Sequence, residues 1–361
     1  MNINRLPSKT LRTTLDSTII ARPSRHASFV SQISRYYSSG SHLTSAKNEY
    51  TNILHSRVHG RSASHLQPRA RLVSGHKQQH RYLAMSSKLI PSNPADVAVI
   101  RTITPNIVTV SVPFSRMGLI RIGGRGTIIR LTSGTLAVFS PVALIPSVQA
   151  KVAELGGNVG YLIAGDMEHH IFLSEWARAY PSAKIVGPKG LQEKRAKVHN
   201  DPKIGHEPFA FEWDARNKQS NAVSDEFAAD FEVEFVDAHP NKEVVLFYKP
   251  DRVLVQADLM FNLPAIEQYS KVPEAEKSSH GLLNRLFESI SSTGGEAKGI
   301  KRFSWYFLSN ANGDRAGFNK SVQRIDSWDF ETIIPCHGET IVGNGKEIFR
   351  KVFEWHLKGH K

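Results

Sequence analysis

The sequence predicts a four-layer α/β protein, an αββα sandwich with two β-sheets packed between helices, preceded by a disordered basic segment. Three observations carry the prediction. Near Ala95 the chain changes from a Ser- and Arg-rich stretch to short β-rich runs. Those runs form two meanders separated by helix–strand units, an order that favours two packed sheets over one doubly wound sheet. The apolar fraction of 40% and the 18 Phe are ordinary for a chain that buries a real core.

The first meander is NIVTVSV (106–112), LIRIG (119–123), GTIIRL (126–131) and GTLAVFS (134–140), punctuated by Gly and Ser at the turns. Gly123-Gly124-Arg125-Gly126 reads as a hairpin turn, because a strand and not a helix follows it. SVQAKVAELG (147–156) is amphipathic and stops at Gly156-Gly157, which makes it a helix. NVGYLIAG (158–165) is apolar throughout, as a strand covered on both faces must be. HIFLSEWARAY (170–180) carries Phe172, Trp176 and Tyr180 at helical spacing, and KIVGP (184–188) is a short strand. Residues 198–228 are polar and read as a loop-rich insertion. Strands resume at 230–238, 243–250 and 251–259, and 264–300 reads as an irregular cap or lid. Helices are expected at 302–310 and 316–328, a last strand at 329–338 and a closing helix at 345–359, completing a domain over 95–361.

Charge divides unevenly. Residues 1–85 hold 13 Lys and Arg against Asp16 and Glu49, whereas the other 276 residues hold 33 basic and 31 acidic groups. The net charge of +13 therefore belongs to the N-terminal segment, and no clustered basic face points to nucleic acid. An Arg- and Ser-rich, acid-poor start is the composition of a mitochondrial transit peptide, with a matrix-protease-like site at Arg35-Tyr36-Tyr37-Ser38-Ser39. The alternative is a cytoplasmic protein whose start is Met85. The single Cys336 rules out an intramolecular disulfide framework. The longest apolar stretch, 136–146, has 11 residues with two prolines, so no membrane insertion is expected.

The residues with chemistry to offer lie where strands run out into loops: His169-His170, His239, Asp258 and His337. Side chains at strand ends converge while staying distant in sequence. Imidazole and carboxylate donors are what zinc and iron sites take, and a catalytic site leaves one position for water. Each residue also has a structural reading: His239 could open a turn, His337 could end a strand beside Gly338, and Asp258 could cap a following segment. Of the adjacent His169 and His170, at most one points into a common site. Cys336 is expected as a small apolar core residue and not a nucleophile.

With these residues in place, the sequence resembles the metallo-β-lactamase superfamily, an αββα sandwich of metal-dependent hydrolases and some oxidoreductases. The closer resemblance is to an uncharacterised family of that fold, through Glu168-His169-His170, Asn241-Lys242-Glu243-Val244-Val245-Leu246-Phe247, Ala257-Asp258-Leu259-Met260-Phe261-Asn262 and His337-Gly338-Glu339. The superfamily's His-x-His-x-Asp-His motif corresponds to Gly165–His170, where only His170 matches a ligand. The resemblance implies zinc or iron, as one or two ions or none, held by His170, His239, Asp258 and His337, with His169 or Asp166 as substitutes. Asp258 and His170 are then the residues closest to catalysis, and Glu168 and Glu339 orient ligand imidazoles. The implied activity is hydrolysis of an ester- or thioester-type small-molecule substrate. A binding protein that kept the fold, or an iron-dependent oxidoreductase, are the alternatives.

Overall fold

The computed structural model of the chain describes residues 93–359, except 117, 275, 276 and 278–280. The basic segment and targeting signal expected at residues 1–85 lie outside the described residues.

A short helix α1 (Pro94–Val97), capped by Asn93, leads into β1 (Val99–Thr104) and β2 (Ile107–Val112). A two-residue hairpin, β3 (Ser115–Arg116) and β4 (Ile120–Arg121), interrupts the meander before β5 (Gly124–Arg130) and β6 (Leu136–Phe139). Helix α2 (Pro146–Glu154) has its proline in the first turn, where the missing N–H costs nothing, and stops before Gly156 and Gly157 at φ +116° and +75°. Then follow β7 (Val159–Ile163), α3 (Leu173–Ala179), β8 (Lys184–Pro188), α4 (Leu191–Ala196) and β9 (Phe211–Trp213). The first sheet runs β1-β2-β5-β6-β7-β8-β9, antiparallel up to β6 and parallel beyond it.

Helix α5 (Asp225–Asp230), capped by Ser224, opens the second half. Strands β10 (Phe231–Val236), β11 (Glu243–Tyr248) and β12 (Val253–Gln256) form an antiparallel meander. Helices α6 (Leu282–Ile290), α7 (Lys298–Tyr306) and α8 (Arg315–Asp326) precede β13 (Thr332–Pro335), which joins β12 in parallel. Helices α9 (Gly345–Val352) and α10 (Glu354–Lys358) close the chain.

Alternation along the strands assembles the layers. Phe231, Val233, Val244, Leu246 and Val255 of the second sheet share one apolar core with Ile129, Ala137, Phe139, Tyr161 and Ile163 of the first. The opposite face of the first sheet, through Val138 and Leu162, packs on Val148 and Val152 of α2 and Leu173 and Trp176 of α3. On the outer face of the second sheet, Glu234 accepts a hydrogen bond from Ser321 of α8 at 2.6 Å, and Phe247 stacks on Trp328 at 5.9 Å. Helix, sheet, sheet and helix follow in that order, which is the αββα expectation. Each fully buried Phe or Leu of such a core stabilises it by roughly 1.5–3 kcal/mol.

Several local expectations change. The edge strand β1 is new, and the 198–228 stretch contains β9 and the start of α5. The 264–300 stretch, expected as an irregular cap or lid, is partly helical. It holds α6 and the start of α7, and Phe287 of α6 packs with Ile120, Phe261 and Tyr269 in a cluster of its own. The closing helix breaks at Phe353 into α9 and α10. No helix among the described residues is long and apolar enough to cross a membrane.

Candidate metal centre

Strand register brings the site together. β12 and β13 run in parallel with Gln256 opposite Pro335, so Asp258 and His337 leave the sheet side by side, each two residues further on. β11 starts at the same edge, and its Val244 N–H bonds the carbonyl of Gly165 across to the first sheet at 2.7 Å. That contact sets the loop after β7 against the strand ends of the second sheet.

Within that loop, Asp166 builds a tight turn. Its fully buried Oδ1 accepts from the backbone N–H of Glu168 at 2.7 Å and of His169 at 2.8 Å, and lies 2.9 Å from His169 Nδ1. The ring therefore presents Nδ1–H to a carboxylate and turns the Nε2 lone pair away. His337 is fixed in the same way, with Nδ1 donating to the carbonyl of Gly123 at 2.7 Å. The two Nε2 atoms face each other at 3.1 Å. Asp258 completes the group: Oδ2 accepts from Asn241 Nδ2 at 2.6 Å, while Oδ1 lies 3.0 Å from His337 Nε2 and has no other partner among the described residues.

His169, Asp258 and His337 thus offer one donor atom each, all within 4.8 Å of one another. Three lone pairs in such proximity repel unless a cation lies among them. Tetrahedral zinc ligands at bond lengths of about 2.0–2.1 Å are roughly 3.3 Å apart. Two of the three separations, 3.0 and 3.1 Å, come close to that, and the third pair lies within 4.8 Å, so the donor types and spacing are compatible with one ion. Asp258 and His337 side chains are each 5% exposed and that of His169 is 17%, so solvent reaches the group from the His169 side. Phe114 stacks on His337 at 6.3 Å and Phe261 meets it edge-on at 4.8 Å, closing the other side.

The electrostatics favour a positive charge among these donors. Burial works against a charged His169, but Asp166 foremost outweighs it and holds the imidazole pKa well above its ordinary value. For Asp258, burial is outweighed by His169 and His337, which hold its carboxyl well below the usual range. Glu243, fully buried, accepts from the backbone N–H of Ala257 at 2.5 Å and of Asp258 at 2.9 Å. Burial, with Asp166 and Asp258 nearby, pushes its carboxyl well above normal.

The other expected residues fall outside this group of three, although His239 feels the charges of Asp258 and Asp166. His170, first choice from the sequence, faces the buried Arg195 guanidinium at 3.3 Å, and burial with Lys194 and Arg195 lowers its pKa to about 3. A lone pair turned toward a cation is not available to an ion held by His169. His239 is fully buried over Phe318 at 6.5 Å, and its Nδ1 accepts from the Asn241 N–H at 3.2 Å. Its Nε2 has no partner among the described residues. Asp166 orients His169 through Oδ1, the role expected of Glu168 and Glu339. Those two instead pair with Lys194 and accept from the Glu267 N–H. Cys336 lies in the core between the sheets, where burial pushes its thiol up to about 12.

No space remains for a second histidine-rich sphere at Gly165. A Cβ there would lie 2.6 Å from Phe139 Cζ and Ser140 Oγ and 2.9 Å from Ala257 Cβ. Met167 packs into the apolar cluster outside the first sheet. Asn241, Glu243 and Gly123 are the working residues whose roles the sequence left unassigned. The first two stood in the quoted Asn-x-Glu motif, and Gly123 in the glycine-rich turn.

Residues 116–293 match the model of a family described as a domain of unknown function (DUF4336). No curated protein matches the chain. In fold the chain is similar to a metallo-β-lactamase from Pontibacter korlensis, at 10% identity over 72% of this chain and 99% of that one, with a TM-score of 0.45. It is also similar to the metallo-β-lactamase FIM-1 from Pseudomonas aeruginosa in its mono-zinc form, at 10% identity over 72% of this chain and 95% of that one (TM-score 0.43). A third is the metal-soaked Flv1 flavodiiron core from Synechocystis sp. PCC6803, at 10% identity over 72% of this chain and 60% of that one (TM-score 0.43).

Proposed function

We propose that this chain is a metal-dependent hydrolase working through a single ion held by His169, Asp258 and His337. The observation that carries the reading is the convergence of three donor atoms whose other faces are already bound. A bound divalent ion supplies a water acidified towards neutral pH, able to attack an ester or thioester carbonyl. The chain's own residues do the rest. Asp166 and the Gly123 carbonyl keep a proton on each Nδ1, so both Nε2 atoms stay free as donors. Asn241 holds the Asp258 carboxylate on its far oxygen. Phe114 and Phe261 keep water off the inner side, leaving the His169 side for substrate.

Two imidazoles and one carboxylate are also the set of mononuclear iron(II) oxygenases, so an iron-dependent oxidoreductase is the second reading. Metal analysis of tag-free protein decides. We expect about one ion per chain, lost in Asp258→Asn and His337→Ala and kept in His170→Gln. Zinc supports hydrolysis and redox-active iron supports the second reading. Less than about a tenth of an ion per chain, unchanged by these substitutions, overturns both and leaves a proton as the cation among the three donors.

A further inference from the structure

Gln268 lies in a short 3-10 turn, Glu267–Tyr269, within the stretch that the sequence left without a role. Its side chain is fully buried, and both ends of its amide are spent on one loop. Nε2 donates to the Cys336 carbonyl at 2.9 Å, and Oε1 accepts from the Gly338 N–H at 2.9 Å. The amide therefore grips the backbone on either side of His337. Arg125, equally buried, donates through Nη1 to the Pro335 and Gly338 carbonyls, each at 2.7 Å. Both side chains are in turn fixed. Glu267 takes Arg101 at 2.8 Å and Ser111 at 2.7 Å, Ser111 accepts from Arg125 Nε at 3.0 Å, and Glu339 accepts from the Glu267 N–H at 2.8 Å.

The glycines at the site agree with this. A Cβ on Gly123 would fall 2.0 Å from Gln268 Oε1, so the β4–β5 connection that carries the His337 acceptor approaches this closely because that residue is glycine. Gly338 adopts φ +85°, the left-handed conformation that glycine permits, and shares its N–H between Gln268 Oε1 at 2.9 Å and the Ile122 carbonyl at 3.2 Å. A turn that served only to fill space would need neither a double amide bond nor two glycines around it.

We propose that Gln268, braced by Arg125, is the positioning residue that sets His337 Nε2 at the ion site. The inference rests on the proposed metal-binding reading, and it assigns the 264–300 stretch a part in building the site. Its consequence is that losing the amide loosens the donor without removing it, and partners of this kind are commonly worth ten- to a hundredfold in metal affinity.

The test is a titration of the metal-free full chain with Co²⁺, followed by calorimetry and visible absorption, for wild type, Gln268→Met and Tyr269→Phe. The methionine keeps the volume and loses both bonds. Tyr269→Phe, in the same turn, removes a hydroxyl hydrogen-bonded to Ser115 and the Phe114 carbonyl and leaves both bonds of Gln268 to the backbone beside His337 in place. We expect Gln268→Met to bind Co²⁺ at least about tenfold more weakly, and Tyr269→Phe to bind like wild type. Equal affinity in all three, or equal loss in both variants, overturns the proposal. Should Gln268→Met not fold, Gln268→Glu keeps the shape and the bond from Gly338, and the same comparison is read from it. If wild type binds no metal, the metal-binding reading has failed by itself. Positioning is then read from the His337 Nδ1–H proton signal in ¹⁵N-labelled metal-free protein. Its loss in the Gln268 variant alone supports the role of Gln268, and its persistence overturns it.

Discussion

Phe139, Ser140 and Ala257 close around the Cα of Gly165, so any Cβ added there must displace one of them. Gly165→Ala is therefore an overpacking change in a fully buried place, and we expect it to lower unfolding free energy by about 1–3 kcal/mol. A shift of the urea midpoint at unchanged slope reads it, whereas an unmoved midpoint means the pocket yields freely. The same residue explains why one part of the site was hard to read. Glycine in place of a metal-motif histidine was visible in the sequence, but the packing that fills its place comes from strands far along the chain. The choice between His169 and His170 was equally hidden. It depends on Asp166 drawing the loop into a turn and on Arg195 taking the second ring, and neither contact has a spacing signature. Asp258 and His337 were legible because each was read where a strand runs out into a loop, and the parallel register of β12 and β13 delivers them there side by side.

At the scale of elements, helices α7, α8 and α10 meet at one buried imidazole. His356 donates from Nδ1 to Asn319 Oδ1 at 2.7 Å, and its Nε2 accepts from Ser304 at 3.0 Å, among the rings of Trp305, Phe318 and Phe353. The neutral ring fits this arrangement, and burial followed by Arg315 brings the pKa down to about 4. The folded pKa is thus below the unfolded value of about 6.5, so between the two the unfolded chain holds the extra proton. Stability is unaffected above about pH 6.5, falls on acidification towards pH 4, and loses on the order of 3 kcal/mol across that window. Chemical denaturation at pH 7 and pH 4.5 measures it. His356→Gln should flatten the pH dependence by about one proton, and an unchanged slope would sink the assignment. This junction was half legible: two of its helices were expected, but the break at Phe353 that swings His356 inward was not. Helix α6 escaped although Leu283, Phe287 and Ile290 stand at helical spacing, because a polar run precedes it. β1 escaped because an edge strand with half-exposed residues shows no clean alternation.

Across the whole molecule, the three donors belong to both sheets. His169 follows β7 of the first, whereas Asp258 and His337 follow β12 and β13 of the second. Between the sheets lies an apolar core, crossed by a few polar ties such as Tyr248 to the Arg130 carbonyl and Arg125 to the Pro335 carbonyl, each at 2.7 Å. An ion at this edge would bind only the folded chain, because no local segment of the unfolded chain brings the three donors together. Binding to the native state alone stabilises by RT ln(1 + [L]/Kd), about 4 kcal/mol at a thousandfold excess over Kd. For a domain of this size each kcal/mol moves the melting midpoint by about 2–4 °C, so the expected shift is on the order of 10 °C. Scanning calorimetry of the chelator-stripped chain with and without added Zn²⁺ measures it. The midpoint of wild type should rise with ion concentration, while that of Asp258→Asn should stay where the chelator leaves it. A wild-type midpoint indifferent to both chelator and ion would mean that the edge is closed by hydrogen bonds and a shared proton alone. The stability of the sandwich would then owe nothing to a metal.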